Sequence, residues 1–308
     1  MHPAPSIIIF TTLSGLGYGL AAMFGLGLLD PSALATKIAH VLAIAMIGAG
    51  LMSSTLHLGN PQRAWRALSQ WRSSWLSREG VMSIVTFVPL LWSAWACVIE
   101  GRYLALPGLA GSVLSLVTVF CTAMIYTSLK SVQAWHTPLT PACYLLFAVA
   151  GGLVLASLFA FAGGGNASLL AVLAAIALMA AWIAKASWRR NMLTLTPIST
   201  PETATGLGAM GKVRLFERPH VTENYLTHEM GFKIARKHAA KLWNIAVVLG
   251  GAIPALALLL LAILGQVPGT IAAMIASVAV LSHVIGMLAE RWLFFAEARH
   301  AVMNYYNG

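Results

Sequence analysis

The sequence predicts an all-α integral membrane protein, a bundle of eight transmembrane helices. Of its 308 residues, 59% are hydrophobic and only 9% are charged, which excludes an ordinary water-soluble globule. Apolar runs of about 20 residues recur along the chain, and each is long enough to cross a bilayer as a helix. The runs are continuously apolar, whereas the strands of a membrane β-barrel alternate apolar and polar residues. A helical bundle is therefore the expected fold.

Turn-forming residues divide the chain into eight spans. The predicted spans cover residues 6–29, 34–57, 80–99, 108–129, 139–162, 168–187, 239–264 and 268–292. Pro31, Pro268 and the glycine run that begins at Gly163 interrupt the apolar pattern between spans. We expect residues 1–308 to form a single membrane domain, with residues 188–238 as a long loop within it.

The distribution of positive charge predicts the orientation. An even number of spans places both termini on one side, where 17 of the 19 Lys and Arg residues fall, and only Lys37 and Arg102 fall on the other. Because short cytoplasmic loops retain Lys and Arg, we expect both termini to face the cytoplasm of a bacterial inner membrane. The basic residues behind the net charge of +10 lie in the loops that flank the membrane spans, and the sequence around them does not resemble a nucleic-acid-binding module. Nucleic acid is therefore not an expected partner.

The connection between spans two and three gathers polar residues into a short stretch that includes His57. A charge at the bilayer centre is unfavourable by at least ~2.5 kcal/mol, so polar groups gathered at the rim of a bundle suggest function. Pro61 bars helix continuation through residue 60, which holds the imidazole of His57 near the membrane boundary. There it can donate a hydrogen bond or a proton to a quinone headgroup whose tail stays in lipid. The alternative is a histidine that only bonds the loop backbone.

Five further residues on this side are candidates for a quinone site, each with a structural alternative. Arg63 and Arg66 share a helical face if the loop is helical, and Trp71 suits either a quinone or the aromatic belt of the interface. Glu79 can carry protons, or it can complement the dipole of span three from the first turn. Tyr126 can contact a quinone ring or merely satisfy its hydroxyl group.

Other polar residues on the same side predict the docking of a partner subunit. They are Arg72, Arg78, His136, Lys233, Arg236 and Lys237. At about 50 residues the 188–238 loop is small for an independent core, so we expect contact with a partner to order it. For the basic run that leads into span seven, anchoring to lipid headgroups is the alternative. At the end of span eight, Glu290 and Arg291 are expected at the same rim, where an interhelical ion pair is the alternative to a functional role.

Two patterns are not interpreted as cofactor sites. Gly206, Gly208 and Gly211 match G-x-G-x-x-G, but the run follows a Thr- and Pro-rich stretch instead of a strand, so no dinucleotide site is expected. The three cysteines occur singly in apolar segments, without the spacing of a disulfide framework, a zinc site or an iron–sulfur site. These are Cys97, Cys121 and Cys143.

Two histidines within apolar spans, His40 and His283, suggest haem b ligation as an alternative. At the helical rise per residue, His40 lies ~9 Å and His283 ~22 Å from the non-cytoplasmic ends of their spans. Because two axial ligands of one haem share nearly the same depth, the mismatch of ~13 Å disfavours the pair. We expect either histidine to serve as an interhelical hydrogen-bond donor instead.

Four runs carry a resemblance to a known family: HLGNPQRAWRALSQWRSSWLSREG, IYTSLKSVQAWHTPLTP, EMGFKIARKHA and AERWLFF. Over nearly its whole length the chain resembles the membrane-anchor subunit family of dimethyl sulfoxide reductase-type molybdoenzymes. The resemblance implies a heterotrimer of a molybdopterin catalytic subunit, a ferredoxin-like iron–sulfur subunit and this anchor, which exchanges electrons with ubiquinone or menaquinone. The quinol-site histidine of the family motif S-x-x-H-L-G falls on His57.

Within that family, the predicted sidedness resembles the branch that serves cytoplasm-facing sulfite dehydrogenases. The resemblance then implies that the chain, which does not hold the catalytic centre, passes electrons from sulfite oxidation to quinone. One alternative is the anchor of a dimethyl sulfoxide or related S- or N-oxide reductase, which takes electrons from quinol. A secondary transporter is the alternative of another class, although no convincing inverted repeat is evident.

Overall fold

The computed structural model describes residues 3–55, 60–163, 167–214, 216–217, 234–265 and 267–305, with the main chain alone at 61 and 234–237. Eight helices in these ranges are long and apolar enough to cross a membrane. The predicted all-α bundle of eight membrane-spanning helices is therefore confirmed.

The helices follow one another with short connections, except between the sixth and seventh spans. They are α1 (Pro5–Phe24), α2 (Leu34–Thr55), α3 (Trp75–Val98), α4 (Ala105–Thr127), α5 (Leu139–Gly163), α6 (Ala167–Thr194), α7 (Pro201–Thr205), α8 (Ile234–Val247), α9 (Ile253–Leu264) and α10 (Gly269–Ala296). A π-helical turn, Val248–Ala252, joins α8 to α9 within the seventh span. Short 3-10 helices lie at Pro61–Gln70, Leu207–Met210 and Ala301–Tyr305.

Several helix ends differ from the predicted ones, and two of these differences move polar residues into the bundle. Helix α3 begins at Trp75, because the side chain of Ser74 caps it by accepting the N–H of Ser77. Glu79 therefore lies beyond the first turn, and the prediction that it sits in that turn is wrong. Helix α6 continues to Thr194, so Lys185 lies inside the helix and not at its flank.

Helices α1 and α5 are in backbone contact at the centre of the bundle. A Cβ atom built at Gly19 would overlap the Ala148 carbonyl oxygen, and one at Gly152 would overlap the main chain of Gly19. Such close approach is possible only with glycine, as is common where membrane helices pack on small residues. Helix α1 also contacts α2, α4 and α10. It therefore lies in the middle of the bundle, where its backbone touches that of α5.

The π-helical turn is held by two side chains of α10. The Ser282 hydroxyl donates to the Leu249 carbonyl and the His283 Nδ1–H donates to the Gly250 carbonyl, each at 2.7 Å. Gly286 of α10 lies against Gly250, so the two backbones meet there without an intervening side chain. A π turn shifts the register of the main-chain hydrogen bonds, and here α10 side chains bond two of its carbonyls.

Substitution of Gly19 by Ala is expected to lower the melting temperature of the protein in detergent, because the added methyl group forces α1 and α5 apart. Overpacking of this kind costs about 1–3 kcal/mol. Gly15→Ala is the matched control on the same helix, since a Cβ atom there meets nothing within 4 Å. Equal melting temperatures of the two variants would contradict the proposed backbone contact.

Candidate functional site at the termini face

The side of the bundle where α1 begins and α10 ends is called the termini face here. The 3-10 segment Pro61–Gln70 lies on this face and is fixed to α3. The Ser77 hydroxyl donates to the Ala67 carbonyl, and a Cβ atom at Gly80 would lie 2.8 Å from the Leu68 side chain. The connection between α2 and α3 thus packs on the helix that carries Glu79.

The quinone-site candidates on this segment point outward. Arg63 and Arg66 are exposed, and Trp71 is 54% exposed. The Arg66 guanidinium lies 5.6 Å from the ring centroid of Trp65, and that of Arg72 lies 5.5 Å from Trp71. The structure therefore places these arginines and tryptophans on the surface of the termini face and not inside the bundle.

The docking candidates that the structure describes also lie on this face. Arg78 donates to the carbonyls of Trp71 and Arg72, at 3.0 and 2.7 Å, and so closes the turn before α3. The exposed His136 contacts the Thr127 carbonyl through Nδ1 at 2.7 Å. Two candidates, His57 of the quinone set and Lys233 of the docking set, lie outside the described residues, and only the main chain is described at Arg236 and Lys237.

Glu79 is a buried carboxylate, 7% exposed, beneath this surface. The Ser83 hydroxyl donates to the Glu79 main-chain carbonyl at 2.8 Å and lies 3.5 Å from Glu79 Oε1. Among the described residues, no Lys, Arg or His forms an ion pair with it. Helix α3, which carries Glu79, packs against α4, which carries Tyr126. The structure thus places two predicted site residues, Glu79 and Tyr126, on neighbouring helices.

Tyr126 belongs to an aromatic cluster contributed by α4, α5, α10 and the connection after α4. Its ring centroid lies 5.4 Å from that of Trp135, 5.9 Å from Tyr144 and 5.3 Å from Phe295. The Trp135 indole N–H donates to the Phe294 carbonyl at 3.0 Å, which fixes the connection against α10. The Tyr126 ring is therefore held by its neighbours on several sides.

Behind this aromatic cluster lies a buried ion cluster, formed by Lys185 of α6 with Glu290 and Arg291 of α10. Lys185 Nζ lies 2.7 Å from Glu290 Oε1, and Arg291 Nε donates to Glu290 Oε2. The side chains of Lys185, Glu290 and Arg291 are 2%, 1% and 3% exposed. Lys185 lies ~14 Å and Glu290 ~9 Å along the helix axis from the ends of their helices.

The ion cluster corrects two interpretations of the sequence. Glu290 and Arg291 were expected at the rim, whereas both lie inside the bundle. Lys185 was counted with the flanking charges, whereas it is the interhelical partner of Glu290. A single lysine in the apolar run AAWIAKASW was the available signal, because a charge there needs a partner inside the bundle.

Aromatic rings surround the cations of the ion cluster. Lys185 Nζ lies 3.7 Å from the ring centroid of Trp188, and the Arg291 guanidinium lies 4.3 Å from that of Tyr144 and 5.3 Å from that of Phe294. Cation–π contacts are strongest where water is excluded. The ion cluster and the aromatic cluster around Tyr126 are therefore continuous.

A cleft of about 490 Å³ opens on the termini face among the described residues. Its lining comes from four stretches of the chain and includes Gln133, Arg189, Leu193, Ala240, Glu297 and Arg299. Arg189 and Glu297 form an ion pair across it, at 3.0 Å. No sequence pattern indicated this recess, because its walls are far apart along the chain.

The two histidines considered for haem have separate environments. His40 of α2 stacks on Phe24, with ring centroids 3.7 Å apart, and its Nδ1 contacts the Thr36 carbonyl at 3.0 Å. His283 of α10 bonds the π-helical turn. In the described part of the chain, no group of three His, Cys, Asp or Glu side chains is arranged to hold a metal ion.

The glycine motif forms a tight turn after α7. Gly206 has φ +71°, a conformation that favours glycine, and it ends a helix capped by Thr200. The main-chain N–H of Glu202, the Thr200 hydroxyl and the Val213 N–H bond the Glu202 carboxylate and lower its pKa. The motif therefore ends a five-residue helix, without the preceding strand that a dinucleotide site requires.

Eight apolar helices with polar chemistry gathered at one face define a multi-pass helical membrane protein. The family model described as DMSO reductase anchor subunit (DmsC) matches residues 1–296, and the protein belongs to that family. The resemblance inferred from the four sequence runs is thereby confirmed.

Three curated relatives match the protein. It is 31% identical to the C subunit of sulfite dehydrogenase from Allochromatium vinosum, over 99% of both proteins. It is 28% identical to the C component of anaerobic dimethyl sulfoxide reductase from Haemophilus influenzae, over 48% of this protein and 56% of the relative. It is 25% identical to the C component of anaerobic dimethyl sulfoxide reductase from Escherichia coli, over 56% of this protein and 63% of the relative. No solved structure gives a significant match.

Replacing Glu290 by Ala should destabilise the protein by about 3–5 kcal/mol, because it leaves two buried cations without their carboxylate. Glu100→Ala is the control: it removes a carboxylate that pairs with the exposed Arg102, and such pairs contribute less than ~1 kcal/mol. Thermal unfolding in detergent measures both. Similar melting temperatures for the two variants would contradict the role given to Glu290.

Proposed function

We propose that this protein anchors a sulfite-oxidising complex and passes its electrons to quinone in the membrane. The partners are a molybdopterin catalytic subunit and a ferredoxin-like iron–sulfur subunit, which carry the molybdopterin and the clusters. Membership in the DmsC anchor family and similarity to the C subunit of a sulfite dehydrogenase over 99% of both proteins support this proposal. The partners dock on the termini face, where the exposed arginines and the cleft lie.

The buried carboxylate of Glu79 carries the proposal of a quinone site. In the described part of the protein this carboxyl group has no ion-pair partner, and such a group in a membrane bundle is unfavourable as a purely structural element. Its helix packs against α4, which carries Tyr126, and in the sequence it follows the connection that contains His57, two residues after the end of α2. We place the quinone headgroup in this region, under the termini face, with its tail in lipid.

The residues of this region then have distinct roles. His57 donates a hydrogen bond to one quinone carbonyl, and the Tyr126 ring contacts the quinone ring. Protons from the termini side pass through Glu79 or His57, and Arg63, Arg66 and Trp71 border the entrance. Quinone itself supplies the two-electron, two-proton chemistry, and the protein contributes positioning and hydrogen-bond electrostatics.

The orientation follows from the charges in the connections. Seventeen Lys and Arg residues were assigned to the termini side, and removing the buried Lys185 and Arg291 leaves fifteen against two. This excess supports a cytoplasmic termini face in a bacterial inner membrane. The catalytic partners, which we propose to dock on this face, then lie in the cytoplasm.

A reductase anchor, which takes electrons from quinol, is the second candidate. The names of two relatives, both components of a dimethyl sulfoxide reductase, favour it, although each matches less than two thirds of its own length. Assay of the purified complex with sulfite and quinone, and with dimethyl sulfoxide and quinol, distinguishes the two directions.

Glu79→Gln and His57→Ala should each lower sulfite-to-quinone turnover of the purified complex at least ~100-fold, because proton transfer by a positioned group contributes about that much. Turnover with a soluble dye, which accepts electrons from the partner subunits, should be unchanged. Glu100→Gln, an exposed carboxyl on the opposite face, is the control for both assays. Unchanged quinone kinetics in Glu79→Gln would remove this residue from the mechanism.

Labelling in intact cells tests the orientation. In a background without the three native cysteines, Ser32→Cys should react with a membrane-impermeant maleimide, because this exposed residue lies opposite the termini face. Asn191→Cys, exposed near the end of α6, should react only after the inner membrane is permeabilised. The reverse pattern would invert the proposed topology.

A further inference from the structure

The ion cluster contains more positive charge than an ion pair between α6 and α10 requires. One carboxylate, Glu290, faces two cations, Lys185 and Arg291. The formal charge of the ion cluster is therefore +1. All three side chains are at most 3% exposed, so water does not screen this charge. Buried ion pairs contribute little net stability, and stability alone does not require the second cation.

The excess charge is directed toward the region proposed for quinone. The Arg291 guanidinium lies 4.3 Å from the ring centroid of Tyr144, and the Tyr144 ring is stacked on Tyr126 at 5.9 Å with an interplanar angle of 25°. Arg291 thus lies within about 10 Å of the Tyr126 ring.

We propose that Lys185, Glu290 and Arg291 form a positioning cluster whose net positive charge favours a negatively charged ligand at the quinone site. This inference rests on the proposed function. When quinone is converted to quinol, two electrons arrive from the iron–sulfur donor of the partner subunit and two protons arrive through the protein. The buried cations stabilise negative charge on the quinone oxygens while the protons have not yet arrived.

The expected size of the effect follows from Coulomb's law. One unit of charge at about 10 Å, in a medium of effective dielectric constant about 20, changes an equilibrium constant roughly tenfold. For a one-electron step, a tenfold change corresponds to about 59 mV. The effect depends on the sign of the ligand's charge, whereas damage to packing would weaken all ligands.

Two ring compounds that differ in charge provide the test. We would titrate the full-length protein in lipid nanodiscs with 2-hydroxy-1,4-naphthoquinone, which is an anion at neutral pH, and with neutral 1,4-naphthoquinone. Lys185→Met, which reduces the cluster charge to zero, should weaken binding of the anion roughly tenfold and leave the neutral compound within about twofold. The double variant Lys185→Met/Glu290→Gln restores a charge of +1 and should restore the preference for the anion.

Two further variants complete the design. Arg190→Gln removes the same charge from an exposed position on α6 and should leave both affinities unchanged. Arg291→Met removes one charge from α10 while Lys185 and Glu290 remain paired. It should therefore weaken binding of the anion as Lys185→Met does. If Lys185→Met does not fold, Arg291→Met tests the effect of the cluster charge in its place.

Each outcome separates this inference from the proposed function. Wild-type protein that binds neither compound would overturn the proposed quinone site and, with it, this inference. Binding of both compounds with a selectivity that Lys185→Met and Arg291→Met leave unchanged would overturn the inference alone. Equal weakening of both compounds, without recovery in the double variant, would do the same, because it would indicate a packing role.

Discussion

The exclusion of water from the bundle governs where this protein can place its polar side chains. A buried charge or polar group is stabilised when it bonds another part of the protein, because lipid offers no hydrogen bonds. Glu290 does so by joining Lys185 of α6 to Arg291 of α10. His283 does so by bonding a carbonyl of the π-helical turn. Polar side chains thereby fix how α10 packs against the sixth and seventh spans.

Glu79 departs from this pattern, and for this reason we propose it as part of the quinone site. The carboxyl group is buried, and in the described part of the protein it forms no ion pair. A proton carrier must be able to change charge, so a permanent cationic partner would oppose that role. Glu290, which bonds two cations, is by contrast suited to hold a fixed charge. The two buried carboxylates thus suit different tasks because their surroundings differ.

The middle of the bundle combines a backbone contact with aromatic packing. Glycine lets α1 and α5 touch, and Tyr126 of α4 and Phe294 of α10 both pack on Tyr144 of α5. The aromatic cluster separates the carboxylate of Glu79 from the ion cluster. A negatively charged group and a positively charged cluster therefore lie on opposite sides of the aromatic cluster. This arrangement is consistent with the proposed anchor, which positions a lipid-soluble carrier near a docked partner.

The sequence alone determined the fold class, the number of spans and the family. Span length is a local property of apolar runs, and the motif around His57 is contiguous, so neither depends on contacts between distant residues. The proposal that Glu79 and Tyr126 belong to one site also came from the sequence, because both lie next to short connections on the same side. The sequence could not show whether Arg63, Arg66 and Trp71 point into that site, because their orientation depends on how the segment Pro61–Gln70 packs on α3.

The tertiary structure decided what a linear pattern cannot encode. The lysine in the apolar run of α6 indicates a buried charge that needs a partner, but only the tertiary structure shows that the partner is Glu290. The end of α6 and the start of α3 likewise depended on capping and packing. Local hydrophobicity fixes which segments enter the membrane, whereas the partners of buried charges are fixed by helices that meet only after the protein has folded.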